Sequence, residues 1–501
     1  MLRSRLAVGV IALPLLLAGC GSSGSSDSTD DASAVANAAG APATSAPSGG
    51  TGAPSVVIPA GQIAVAQPDD QGKALIAAIE SAAASVDIVI YQIGGQEIQQ
   101  ALLAAMQRGV KVRVIMDGYS SSQVKYNGEF ASSMRNAVAS AGLPSDAFAI
   151  NWSSDNFNIT HQKSVMIDAV DSGGNPLPAG NMPATARLLV STGNFQDFGS
   201  TPFYAARDFY VLTDDQQLIN EASRVFVSDF SCAGPTETNG LADSTDLIWS
   251  NGTTGLYPNQ VGQYPPVSEG YFGPGRATDP APVVQGNSFD AQFNLVKQAG
   301  AGDVLRIYNE EFTSSAFVDA VTAAAQAGAD VRIVMSYEPP SKGKPTTSMA
   351  NLTQMAGAVP ASSNLPGVSV TLYAPQQVVP EALYVHAKSI LLSDSAGNFK
   401  GGFVGSENLS NPSMDYNREL GLPLSSATVQ TAGVIGGAFD SDFNSTTNTT
   451  RLDKSNPNNI PPAWNGSGTS SESDLESADG SPEALQRVGA PAGRCGPVPT
   501  S

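Results

Sequence analysis

Arg108-Gly109-Val110-Lys111-Val112-Arg113-Val114-Ile115-Met116 and Ala327-Gly328-Ala329-Asp330-Val331-Arg332-Ile333-Val334-Met335 are two copies of one pattern, a glycine closing a helix followed by an apolar strand. Working outward, residues 87–91 read as a strand and 97–106 as a helix before the first copy. Residues 303–308 and 317–327 repeat that order before the second. Leu75, Ile76 and Ile79 add a helical spacing ahead of the first strand. The copies also close alike: 216–230 and 427–443 read as helices ending in Phe226-Val227-Ser228-Asp229-Phe230 and Phe439-Asp440-Ser441-Asp442-Phe443. Strands alternating with helices predict an α/β fold of two pseudo-symmetric halves, 61–231 and 289–445, each a β-sheet flanked by helices and packed against the other. A chain of 501 residues exceeds what one core usually organises, which agrees with duplication.

The remaining segments read differently. Arg3 and Arg5 precede an apolar run, 6–17, that is short for a bilayer span, and Leu17-Ala18-Gly19-Cys20 follows at once. This resembles the lipobox of bacterial lipoproteins, with residues 1–20 as signal peptide. The resemblance implies lipidation at Cys20, membrane attachment through it and a place in the cell envelope. An ordinary signal peptide is the alternative. Residues 21–60, rich in Gly, Ser, Ala and Pro, read as a disordered tether with a root-mean-square span of roughly 35 Å. No later segment is apolar enough to span a membrane. Residues 232–288 form an inter-half loop carrying Trp249, Tyr257, Tyr264, Tyr271 and Phe272; these aromatics are read as a wall of the substrate site, the alternatives being a long surface connection or rings that pack the loop onto its own domain. Residues 446–501 read as a polar tail. Cys232 and Cys495 can pair in an oxidising compartment, tying this tail to the middle of the chain; two separate thiols are the alternative.

The chain has two histidines, and each opens the same short pattern: His161-Gln162-Lys163-Ser164 and His386-Ala387-Lys388-Ser389. A lysine two positions after both by accident is an event of roughly one in 2,500. Both patterns lead into apolar runs that read as strands, where residues two apart share a face, so each histidine projects with its lysine. Downstream come Ser191-Thr192-Gly193-Asn194 and Gly405-Ser406-Glu407-Asn408, then Asp208 and Glu419. A base, a cation, an amide and a carboxylate therefore occur twice.

H-x-K-x-x-x-x-D followed by G-S-x-N and a later acidic residue is similar to the signature of the phospholipase D superfamily. His161, Lys163 and Asp168 have its full spacing. In the second copy Ser393 stands at the place of the motif aspartate, with Asp394 one residue late; in the first, Ser191-Thr192 stands for Gly-Ser. The aspartate lies an odd number of residues from the histidine, facing away from it on a regular strand, so Asp168 and Ser393 are read as structural. Tyr91 and Tyr308 are taken as corresponding strand ends. The resemblance covers about 65–445. It implies an active site at the interface of the halves, with one imidazole attacking phosphorus to form a phosphohistidine and the other protonating the leaving alcohol and then activating water. By analogy His161 is the nucleophile and His386 the general acid. Lys163, Lys388, Asn194 and Asn408 surround the phosphoryl oxygens, and Asp208 and Glu419 each hold one imidazole. No metal or other cofactor is implied.

Three function classes follow. The first is a phosphodiesterase acting on phospholipid, releasing phosphatidic acid and head group, or transferring the phosphatidyl group to an alcohol as the resemblance to cardiolipin synthases implies. The second is a nuclease; a net charge of −20 with 25 Lys and Arg, and no basic cluster near the motifs, weighs against a stable nucleic-acid partner. The third is a non-catalytic lipoprotein binding lipid or a partner through a degenerate site, for which Ser393 is the best support. The oligomeric state is not legible.

Overall fold

Gly109 and Gly328 take φ of +95° and +100°, the left-handed region that a Cβ disfavours. Each ends a helix with the backbone N–H after it reaching five residues back, Val110 to Ala105 (3.2 Å) and Ala329 to Ala324 (3.0 Å). These turns launch one strand of each sheet. The computed structural model describes residues 56, 58–118, 121–153, 159–195, 206–231, 247–249, 288–341, 343–415, 417–465 and 496–497.

The first half runs β1 (Ile63–Gln67), α1 (Lys73–Ser81), β2 (Ser85–Ile90), α2 (Gln96–Gln107), β3 (Lys111–Met116), α3 (Ser121–Ser140), β4 (Phe148–Trp152), β5 (Ser164–Ile167), β6 (Arg187–Ser191), β7 (Ala206–Thr213) and α4 (Gln216–Ser231). After β8 (Ile248–Trp249) come α5 (Ser288–Lys297), β9 (Asp303–Tyr308), α6 (Ser315–Gln326), β10 (Asp330–Ser336), α7 (Thr347–Ala356) and β11 (Gly367–Tyr373). They are followed by β12 (Tyr384–Val385), β13 (Ser389–Asp394), β14 (Phe399–Gly405), α8 (Asn411–Asp415), β15 (Leu420–Leu424), α9 (Val429–Phe443), β16 (Thr449–Leu452) and β17 (Gly496–Pro497).

Both sheets are mixed. The order β7-β6-β5-β2-β3-β4 in the first matches β15-β14-β13-β9-β10-β11 in the second, with β1 and β17 extending one and β8 and β16 the other. Side chains alternate across each strand. Val86, Ile88, Val112 and Val114 face outward onto α1, α2 and α3, while Val89, Ile115, Met166 and Val190 face inward. In the second half Leu305, Ile307, Val331 and Ile333 face out, and Tyr308, Val334 and Leu391 face in. The inward faces share one apolar cluster with Ile219, Val225 and Phe226 of α4 and Ile435, Phe439 and Phe443 of α9, so these two helices lie between the sheets. Each fully buried aromatic or aliphatic side chain there contributes about 1.5–3 kcal/mol of transfer free energy, which fastens the halves into one body.

Residues 446–465, read from sequence as the start of a polar tail, belong to the second half. β16 pairs antiparallel with the free edge of β11, and buried Trp464 packs its ring 5.6 Å from Tyr337. Trp249 is fully buried: β8 joins β15, the indole N–H donates to Glu221 (2.8 Å), and Arg418 stacks on the ring at 5.5 Å. It anchors this part of the loop in the core rather than lining a cleft. Tyr257, Tyr264, Tyr271 and Phe272 lie outside the described residues, as do Cys20, Cys232 and Cys495. β17 pairs with Asn151 and Trp152, and the Asn151 amide donates to Phe230 O (2.9 Å) near the end of α4. Among the described residues no helix is long and apolar enough to cross a membrane.

Candidate active site

Each histidine segment is held by the other half before its side chain is considered. The N–H groups of His161 and Gln162 both donate to Arg418 O, at 2.9 and 2.7 Å, and Arg418 N donates to Ile159 O. Reciprocally, β12 pairs parallel with the start of β7, and His386 N donates to Arg207 O (3.2 Å). The backbone thus places each H-x-K segment on the strand that carries the opposite half's carboxylate.

The side chains complete the exchange. His161 Nδ1 lies 2.8 and 2.9 Å from the two oxygens of Glu419, and His386 Nδ1 lies 2.9 Å from Asp208 Oδ1. All four residues are at least nine-tenths buried. Removing one member of such a pair leaves a buried charge uncompensated, at a cost of about 3–5 kcal/mol. Glu419 also accepts from Ser413 (2.8 Å) and Asn417 (3.1 Å). Burial alone raises its carboxyl, but the charge and hydrogen bond of His161, with Lys163 nearby, hold it below the ordinary glutamate value. Each carboxylate holds a proton on the Nδ1 that it faces, which leaves Nε2 of each ring as the atom for proton transfer or attack.

The arginines beside these carboxylates are anchored by the repeated helix ends. Arg418 donates twice to Asp229 of α4 (3.0 and 3.0 Å), and Arg207 twice to Asp442 of α9 (2.7 and 3.2 Å). The Phe-x-Ser-Asp-Phe repeat therefore sets the position of Asp208 and Glu419 through their neighbours. Asp442 further accepts from Tyr308 OH (2.6 Å).

The amide turns are equivalent despite their different residues. Ser191 N donates to Lys163 O and Gly405 N to Lys388 O. The hydroxyls of Thr192 and Ser406 accept from Phe209 N and Leu420 N, at 2.9 and 3.1 Å. Thr192 also donates to Asp208 (2.6 Å), so it fills the role of the serine in the other half. A Cβ at Gly405 would lie 2.6 Å from Gly421 Cα, whereas Ser191 occupies the matching position without difficulty. Asn194 and Asn408 end these turns, both buried. Glu407, between Ser406 and Asn408, is driven well above the ordinary glutamate value by burial and then by the charge of Glu419.

Asp168 faces away from the site. At φ +50° it closes β5 and accepts from the N–H groups of Ala83, Ala84 and Ser85 at 2.7–3.1 Å and from the Thr185 hydroxyl. It thus clasps the turn from α1 to β2. Ser393 instead accepts from Arg306 (2.9 Å), which pairs with Asp440 (2.8 Å), and Asp394 closes the β13–β14 hairpin through Ala396 N and Asn398 N.

One pairing made from sequence is shifted. Val89 lies opposite Ser164, and Tyr308 opposite Ser389, so Tyr308 corresponds to Val89 and not to Tyr91. Tyr91 corresponds to Glu310, a match reinforced by the equivalent bridges Ile93–Phe195 and Phe312–Leu409. The Tyr91 ring meets His161 edge-on at 5.2 Å, with Lys163 Nζ 5.5 Å from its centroid. Glu310 stands by the other motif: Oε2 is 2.9 Å from Lys388 Nζ, 3.4 Å from His386 Nε2 and 3.5 Å from Asn408 Nδ2, and Oε1 accepts from Tyr384 OH. Sequence reasoning missed Glu310. The signal was available, because the spacing between Arg108 and Ala327 also separates Tyr91 from Glu310.

The family described as "Cardiolipin synthase, PLD-like domain" matches residues 75–230 and 294–442, more than half of the chain and both motif sets. The chain belongs to the phospholipase D superfamily. Members of this superfamily generally act on phosphodiesters. Among solved structures, phosphatidylserine synthase from Haemophilus influenzae Rd KW20 is similar at 11% identity, over 80% of this chain and 89% of that one, with a TM-score of 0.49. Polyphosphate kinase from Porphyromonas gingivalis is similar at 15% identity over 77% of this chain, with a TM-score of 0.48. The chain spans 50% of that kinase's length. The phospholipase D family member Nuc from Salmonella typhimurium is 19% identical over 34% of this chain and 93% of its own, with a TM-score of 0.25. A comparison with curated protein sequences finds no match. The two phospholipase D-like halves thus meet in one seam holding both histidines, both lysines and both carboxylates.

Proposed function

We propose that the chain cleaves phospholipid phosphodiesters in two steps through a phosphohistidine. The supporting observation is the crossed pairing, in which each half's histidine is backed by the other half's carboxylate. His161 Nε2 attacks phosphorus as the bond to the leaving oxygen breaks, and His386 gives that oxygen its proton. In the second step His386 takes a proton from water or an alcohol, whose oxygen displaces His161. Lys163, Lys388, Asn194 and Asn408 offset the charge developing on the phosphoryl oxygens. Water as acceptor gives phosphatidic acid and free head group; an alcohol gives a new phosphodiester, and the match to a cardiolipin synthase-type domain favours this transfer reading equally. The membrane setting rests on the lipobox-like Cys20, as part of the same proposal.

The test is release of head group from mixed phospholipid vesicles by the protein lacking residues 1–20, with and without glycerol, and with plasmid DNA in parallel. Release abolished in both H161A and H386A is the expected result. A glyceryl ester among the products would mark transfer. Cleavage of DNA alone would move the chain to the nucleases, and no turnover of any substrate would leave a binding protein. Detection of diacylglyceryl-cysteine at the mature N-terminus by mass spectrometry tests the anchor.

A further inference from the structure

Glu310 stands among the donors that the phosphodiester reading gives to substrate. Its Oε2 lies 2.9 Å from Lys388 Nζ, 3.5 Å from Asn408 Nδ2 and 3.4 Å from His386 Nε2. The first two of these atoms serve the phosphoryl oxygens in that reading, and the third serves the leaving oxygen. Oε1 accepts from the Tyr384 hydroxyl, which holds the other end of the carboxylate. Lysine, amide and phenol donors converge on Glu310, so it is an acceptor and pairs with Lys388 in the ionised form. Glu310 is 6% exposed and Lys388 is fully buried, a setting in which charges are little screened. The backbone fixes this placement. Leu409 N and Glu311 N both donate to Asn309 Oδ1 at 3.1 Å, and Thr313 N and Ser314 N donate to Leu409 O at 3.0 and 2.9 Å, so the segment carrying Glu310 is tied to the turn carrying Asn408.

We propose that Glu310 is a specificity-determining residue, which lines the phosphoryl site with a negative charge and so admits singly charged phosphodiesters while disfavouring doubly charged phosphomonoesters. This role rests on the phosphodiester reading for where the phosphate lies. An ammonium has three N–H groups and a side-chain amide has two, so holding Glu310 does not prevent Lys388 and Asn408 from also meeting a phosphoryl oxygen. A diester has two nonbridging oxygens that share one charge. A monoester has a third terminal oxygen and a second charge, while Glu310 Oε2 already takes one acceptor position beside these donors. The like-charge repulsion from Glu310 doubles with that second charge, and it is strong in a buried site. With water as acceptor the proposed reaction turns a diester into phosphatidic acid, a monoester, so Glu310 favours entry of substrate over retention of this product. A transfer product is itself a diester and meets no added repulsion.

The test needs no turnover. The full chain in detergent micelles is titrated with dimethyl phosphate and, separately, with methyl phosphate at pH 8, and binding is read by NMR. Methyl phosphate is doubly charged at that pH, a phosphomonoester having its second pKa at about 6. Wild type is expected to bind the diester at least as tightly as the monoester. E310Q keeps the shape and loses the charge; it should bind methyl phosphate about tenfold more tightly than wild type does, with a clearly smaller gain for dimethyl phosphate. E310D keeps the charge and should retain the wild-type order. A wild type that prefers methyl phosphate would overturn the proposal without recourse to any variant, and so would equal gains for the two esters, or no gain, in E310Q. Failure of both esters to bind either wild type or E310Q would remove the phosphoryl site and the phosphodiester reading with it, whereas binding with a preference that E310Q leaves unchanged would remove the role of Glu310 alone.

Discussion

The turns behind the two histidines differ more than the histidines themselves. In the first half the Asp168 carboxylate gathers three consecutive backbone N–H groups of the α1–β2 turn, and Thr185 besides. In the second half Ser393 accepts a bond from Arg306, and the corresponding turn is held by Gly300 N donating to Asp303 (3.1 Å), by Lys400 of β14 pairing with Asp303 (2.5 Å) and by Ser395 N donating to Gly302 O (2.8 Å). Two copies of one motif have thus kept a histidine, a lysine, an amide and a carboxylate each, while differing in how the strand is fastened behind them and at the Tyr91/Glu310 position beside the histidines.

This contrast can be broken at its inner side first. Glu419→Gln and Asp208→Asn keep shape but remove the charge behind each imidazole, and each should lower kcat by about 10³-fold or more in the vesicle assay. A loss confined to one of them would show that the crossed pairs are not equivalent. At the outer side, Asp168→Ala leaves buried N–H groups without an acceptor and should destabilise the fold by about 3 kcal/mol in urea denaturation. Ser393→Ala should cost about 1 kcal/mol or less. Equal costs at the two positions would remove the distinction between the turns.

The smallest effect is expected at Glu407, whose first-half counterpart is Gly193. Its folded carboxyl holds its proton well above the ordinary value of 4.5, through burial and the neighbouring charge of Glu419. Below pH 4.5 both folded and unfolded chains hold that proton, and the group's contribution is fully present. As pH rises the unfolded chain releases the proton first, and stability falls by up to about 1.4 kcal/mol per unit until the folded carboxyl ionises. E407Q lacks this slope, so its Tm advantage over wild type should grow from pH 5 to pH 7. A constant difference across that range would mean that Glu407 is ionised in the fold.

What the sequence made legible was periodic or repeated. The glycine-to-strand copies, the matched Phe-x-Ser-Asp-Phe helix ends and the two H-x-K segments follow from local spacing, and they predicted two α/β halves with their strands and helices nearly in place. The partners of Asp208 and Glu419 were not legible, because which carboxylate meets which imidazole depends on how two sheets dock across α4 and α9. Glu310 was hidden by the attraction of matching tyrosine with tyrosine, although β2 and β9 register two residues differently. Residues 446–465 looked polar because β16 occupies a sheet edge, where one face and one rim remain wet.

The crossed pairing also orders events in time. A ribosome that has made the first half has produced His161 but not Glu419, nor the Arg418 carbonyl on which the His161 segment hangs. On the proposed reading, catalytic competence would require the last third of the chain to close over the first. A chain cut short before residue 419 lacks the carboxylate behind His161, so on the proposed reading phosphodiester turnover would report completed assembly as much as chemistry.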